Sequence, residues 1–114
     1  MLDHYVVFQP HPGREKDLAA ALKEFAEGIG GLECLHDFTY GENINQSGLA
    51  HGYTHGCFAR LTSEQALKTS YWHHPAHQRL LGLLDDLCAD RFALDYHVPA
   101  EAPAVVAEPV TPAG

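Results

Sequence analysis

Basic side chains are scarce in this sequence: seven Lys plus Arg stand against fifteen Asp plus Glu in 114 residues, for a formal charge of -8. Surfaces that track phosphate draw their affinity from clustered cations, so no nucleic-acid partner is expected. Cysteine is sparser still. Cys34, Cys57 and Cys88 are odd in number and lack C-x-x-C spacing, which argues against a disulfide framework or a cysteine zinc site and for buried thiols in a reducing compartment. No stretch approaches the ~18 uninterrupted apolar residues of a membrane span. The opening residues Met1 to Tyr5 have neither the basic nor the apolar region of a signal peptide. A cytoplasmic chain with no membrane partner is therefore the expectation.

Bulk for a core is present, with 46% hydrophobic residues, five Phe and five Tyr. From Pro99 onward, four prolines and few large side chains predict a disordered Pro/Ala-rich tail over 99–114, leaving one domain over 1–98. Leu2 to Gln9 is β-branched and aromatic and reads as a strand, with His4, Val6 and Phe8 on one face and Tyr5 and Val7 on the other. Leu18, Leu22, Phe25 and Ile29 recur at helical spacing between Arg14 and Ile29, and Gly28, Gly30 and Gly31 are read as the stop. Leu32 to Tyr40 and Tyr53 to Leu61 are predicted strands, separated by a polar Gly- and Asn-bearing loop. Thr62 and Ser63 suit the cap of a helix running to about Trp72. Pro75 opens a further helix with Leu80, Leu81, Leu84, Leu87 and Cys88 as its stripe. Arg91 to Val98 alternates Phe92, Leu94, Tyr96 against Ala93, Asp95, His97 as the last strand.

The order is β-α-β-β-α-β: an α+β, ferredoxin-like fold with a four-stranded antiparallel sheet and its helices on one face. Tyr5, Val7, Phe92, Leu94 and Tyr96 cannot all face the helices, because side chains alternate along a strand. An apolar sheet face is left over, and pairing with a second copy would cover it. The expectation is a homodimer that forms a dimeric α+β barrel.

Nine histidines are many for so short a chain, and His73, His74 and His77 crowd one corner of Tyr71-Trp72-His73-His74-Pro75-Ala76-His77. An imidazole can take a proton from a carbon acid, and a nearby tyrosine can donate to the enolate oxygen that develops. Two other readings stay open. His74 can satisfy a helix end while Trp72 packs in the core, or His73 and His77, four apart, can bind a metal, although Pro75 lies between them and no H-E-x-x-H glutamate is present. His4 and Asp95 have the parity to meet if first and last strands are neighbours; the carboxylate would then fix the imidazole tautomer or merely satisfy a buried pair.

His4 on the first strand, Gly52-Tyr53-Thr54-His55, His74-Pro75-Ala76-His77 and Asp95-Tyr96 together resemble the stress-responsive dimeric A/B barrel (Dabb) family, over residues 2 to 98. That family includes plant stress-induced proteins and olivetolic acid cyclase, a polyketide cyclase that closes an aromatic ring by intramolecular aldol condensation. The resemblance implies catalytic roles for His77 as general base and Tyr71 as the residue holding the substrate carbonyl. His4 and Asp95 match positions lining that cyclase's pocket; with Val6 and Phe8, which share the face of His4 on the first strand, they are the expected substrate-binding residues, and no cofactor or metal is expected. Two departures stand out: one extra residue before the HPAH tetrapeptide, and Arg60 and Arg91 near positions that are apolar in the cyclase, which speaks against a pocket for a long alkyl chain.

Two functions therefore compete. One is a homodimeric cofactor-independent cyclase or isomerase acting on a small keto or aromatic compound, which requires a cavity between sheet and helices. The other is a non-enzymatic stress-response or small-molecule-binding dimer with a filled core. Haem-dependent oxygenation, seen in related barrels, would need an accessible His over an apolar pocket and has little in the sequence to favour it.

Overall fold

A computed structural model describes residues 1–99 of the chain; the expected tail lies outside the described residues from position 100 onward. Strand β1 (Leu2–Pro10) leads through a turn into helix α1 (Glu15–Ile29), strand β2 (Leu35–Glu42) and strand β3 (His55–Leu61). Helix α2 (Glu64–Ala66) continues directly as a π-helical turn, Leu67–Tyr71, before helix α3 (Pro75–Leu87) and strand β4 (Cys88–His97). The sheet order is β2-β3-β1-β4 and every neighbour is antiparallel. This is the ferredoxin-like arrangement that the sequence pattern predicts.

Alternation along the strands separates two faces. On the helix side, His4, Val6 and Phe8 of β1 stand opposite Ala59, Cys57 and His55 of β3, and opposite Asp95, Ala93 and Arg91 of β4. Leu18, Leu22, Phe25 and Ile29 of α1 and Leu80, Leu84 and Leu87 of α3 close over this face to form the core. On the other side lie all five residues that the pattern could not fit under the helices. Tyr5 stacks on Tyr96 with ring centroids 5.8 Å apart, and Phe92, Leu94 and Tyr96 are 56%, 49% and 44% exposed. Asp3 on this face is held by two 2.8 Å bonds from Arg60.

Some boundaries differ from expectation. Gly28 does not stop α1 but sits inside its last turn, where an added Cβ would lie 3.0 Å from the Cβ of Ala76 on α3; the glycine is there for close helix approach. Gly31, with φ at +84°, makes the left-handed turn. Residues Leu32 to Leu35, expected to begin a strand, form a further turn in which Leu35 N donates to the Leu32 carbonyl at 3.0 Å, so β2 starts later. In the same way Tyr53 N donates to Ala50 O at 2.9 Å, and β3 starts at His55. Of the three cysteines only Cys57 is buried; Cys34 and Cys88 are half-buried.

Candidate functional site

The junction between the π turn and α3 builds the site. Pro75 occupies the first turn of α3, where a missing N–H costs nothing. His74 caps that turn, its Nδ1 accepting from the Ala76 amide at 3.1 Å. This fulfils the structural role foreseen for His74 and leaves His77 for other work. His77 is buried, and its Nδ1 lies 3.0 Å from the Trp72 carbonyl oxygen. A carbonyl can only accept, so Nδ1 carries the proton and Nε2 of the neutral ring is the basic atom. Gln78 Nε2 donates to the same carbonyl at 2.6 Å. Burial is the main cause that lowers the His77 pKa from its ordinary value, with nearby His4 and His74 adding to it and the Trp72 bond opposing it.

Tyr71 comes from the π turn. Trp72 N donates to Leu67 O, five residues back, at 3.1 Å, so this turn holds one residue more than an α-helical turn would. Tyr71 is 2% exposed. Its ring lies 4.8 Å from that of His77 and 5.9 Å from those of His4 and Phe25. The hydroxyl makes no hydrogen bond among the described residues. Burial first, then the neighbouring Cys57 and Asp95, raises its pKa, which keeps it a neutral O–H donor at any physiological pH.

His4 and Asp95 do meet: the imidazole Nδ1 and a carboxylate oxygen form a hydrogen bond across the β1–β4 ladder. The carboxylate accepts, so Nδ1 of His4 is the protonated nitrogen there. Among the described residues His4, Tyr71 and His77 border one cavity of about 220 Å³, with Val6 and Phe8 in its apolar wall. Of the residues expected to be catalytic or substrate-binding, all but Asp95 line this space, and Asp95 borders the wider outer space of about 520 Å³ at the mouth, beside His4 and His77. The mouth exists because β4 is an edge strand whose helix side is not covered by α3.

Three further residues belong to the site, none of them expected from sequence to act in it. Trp72 is not core packing; it is 47% exposed and stands at the mouth with its ring 5.1 Å from His77. Cys57 lines the cavity, but burial pushes its thiol up to about 12, so it serves as wall and not as a thiolate nucleophile. Arg91 also borders the cavity; its parity with Ala93 and Asp95 on β4 was the available signal. His73 is exposed at the mouth. Among the described residues no three His, Cys, Asp or Glu side chains are grouped to hold a metal ion.

The model of the stress-responsive A/B barrel domain matches residues 2–98. The chain belongs to the Dabb family. None of the curated proteins is significantly similar to this Dabb chain, whereas solved structures are. A dimeric ferredoxin-like protein of unknown function from Jannaschia sp. CCS1 is 26% identical, with 85% of this chain and 98% of that one covered and a TM-score of 0.76. The Arabidopsis thaliana protein At3g17210 is 20% identical over 90% of this chain and 100% of its own, also at a TM-score of 0.76. A hydroxynitrile lyase from Passiflora edulis shares the fold at 13% identity, covering 90% of this chain and 96% of its own with a TM-score of 0.72. No described helix of the Dabb chain is long and apolar enough to cross a membrane.

Proposed function

We propose that this Dabb chain works as a homodimer that catalyses cofactor-independent cyclisation or isomerisation of a small keto or aromatic compound. His77 Nε2 takes a proton from a carbon beside a carbonyl, and the Tyr71 hydroxyl donates to the enolate oxygen as it forms. In a cyclisation the enolate carbon attacks a second carbonyl of the same molecule, a carbon–carbon bond forms, and the imidazolium returns its proton to the new alkoxide. In an isomerisation the proton returns to a different carbon. His4, held by Asp95, positions the substrate from the sheet side.

The observation that carries this reading is that a basic nitrogen and a neutral hydroxyl share one cavity, and neither has a protein partner among the described residues. A binding-only dimer with a filled core is the competing account. A volume of about 220 Å³, room for roughly seven waters at ~30 Å³ each, supports the reading with a substrate. That the fold hosts a lyase in the Passiflora edulis protein is consistent with chemistry on this scaffold.

The test is α-carbon deuterium exchange, followed by proton NMR in D₂O with a simple ketone such as phenylacetone. The wild-type protein is expected to accelerate exchange, and His77→Gln to lose about 10²–10⁴-fold of that acceleration. Exchange at the buffer rate with wild-type protein, across a panel of ketones, would falsify the catalytic reading.

A further inference from the structure

In a chain of net charge -8, Arg91 is a cation that borders the cavity holding Tyr71 and His77. Strand alternation puts it on the helix side of β4, paired with Phe8 of β1. The side chain is two-thirds covered, at 34% exposure. Nη2 donates to Asp85 Oδ1 at 2.8 Å, but Asp85 is 73% exposed, and such a rim pair is weak and readily rearranged. The remaining N–H groups of the fork make no hydrogen bond among the described residues. Two parallel N–H donors in a plane match the two oxygens of a carboxylate, as they do those of a phosphate, and of the two the less charged carboxylate suits a cavity of about 220 Å³ walled largely by apolar side chains.

Position matters as much as chemistry. Arg91 and Asp95 stand four residues apart on one face of β4, roughly 13 Å between Cα atoms at ~3.3 Å per residue, with Ala93 between them. Asp95 anchors His4 at the end where Tyr71 and His77 act, so the cavity has a reacting end and a cationic end. Apolar side chains, Phe8, Leu80 and Leu84, form the wall between. A charge held against such a wall is less screened than one in open water, so it can outweigh the acidic surface for a small anion.

The geometry points to a carboxylate-bearing substrate, a small keto acid or aromatic acid whose carboxylate is bound by Arg91 while its reacting carbonyl faces His77 and Tyr71. This rests on the acid–base reading above and names its substrate class. The other cation near the site, Lys68, lies at the mouth, pairs with Glu64 at 3.4 Å and does not border the inner cavity.

Two matched probes test this, 4-hydroxybenzoate and p-cresol, which differ in carboxylate against methyl. Binding of each to the full chain is followed by NMR titration at neutral pH. The wild type is expected to prefer 4-hydroxybenzoate by about tenfold. Arg91→Met should abolish the preference, Arg91→Lys should keep part of it and show that the fold is intact, and Lys68→Met should leave it in place. His77→Gln should keep the preference while losing ketone exchange, so failure of the base and failure of the carboxylate site give different results. Equal binding of both probes by the wild type, a preference that survives Arg91→Met, or one that disappears in Lys68→Met would overturn the assignment.

Discussion

Tyr71 and His77 differ in what the fold gains from them, and that difference can be measured. The Tyr71 hydroxyl makes no hydrogen bond among the described residues, so its removal leaves no protein group unpaired. Tyr71→Phe is expected to change unfolding free energy by no more than about 0.5 kcal/mol while slowing ketone exchange about 10²–10³-fold; urea denaturation and exchange rates together check this split. His77 does affect stability, through pH. Its folded pKa lies below the ordinary 6.5, so the unfolded chain takes up a proton first as the solution is acidified. The contribution is therefore complete above 6.5 and is lost as pH falls below it. Between pH 7.5 and 5.5 the urea midpoint should fall more in wild type than in His77→Gln, and parallel falls would show that His77 is not the group responsible. Both residues were visible in the sequence because Tyr71 and the HPAH tetrapeptide sit together. What the linear order could not reveal was which histidine caps the helix and which faces the cavity, because that depends on Trp72 turning its carbonyl toward Nδ1 of His77.

At the scale of elements, periodicity located the helices and strands but not the turns between them. Leu32 to Leu35 and Tyr53 have strand-like composition, yet each is drawn into a turn whose backbone bond competes with the ladder. The π turn is a further case. Nothing in the apolar spacing of this segment separates its i to i+5 step from an α-helical turn, yet that step is where Tyr71 leaves the helix to line the cavity. Gly28 differs from the sequence expectation for a physical reason: a glycine near a helix end resembles a stop, and only the crossing of α1 and α3 shows that its missing side chain is what lets Ala76 approach. Gly28→Val is accordingly expected to destabilise the domain by about 1–3 kcal/mol through forced separation of the helices, with an added helix-propensity gain too small to offset it. Thermal or urea unfolding measures this, and a variant as stable as wild type would mean the helices part at no cost. Because Ala76 lies beside His77, the same substitution should also slow exchange.

For the whole molecule, the decisive feature is the sheet face away from the helices. The alternation of β1 and β4 made it readable in advance, since five apolar or aromatic positions with one parity had to emerge on one side, and they do. Phe92, Leu94 and Tyr96 lie near half exposure in the single chain, an arrangement that water penalises by roughly 25 cal/mol for each Å² of apolar surface left uncovered. A twofold partner presenting the same face removes that penalty for both chains at once, and the Jannaschia relative is itself described as dimeric. Sedimentation of the wild type should therefore give twice the 12.5 kDa chain mass. In such a dimer Leu94→Lys would put an ammonium on the covered face of each copy, at a desolvation cost with no opposite charge to offset it, and should yield a folded monomer at micromolar concentration. Leu94 points away from the cavity, so the monomer also tests whether the site is complete in one chain: Arg91, His77 and Tyr71 remain in place, and the 4-hydroxybenzoate preference should persist. A wild type that sediments as a single well-folded chain would remove the dimeric barrel from the account, whereas a Leu94→Lys monomer that loses the preference would show that the partner shapes the cavity.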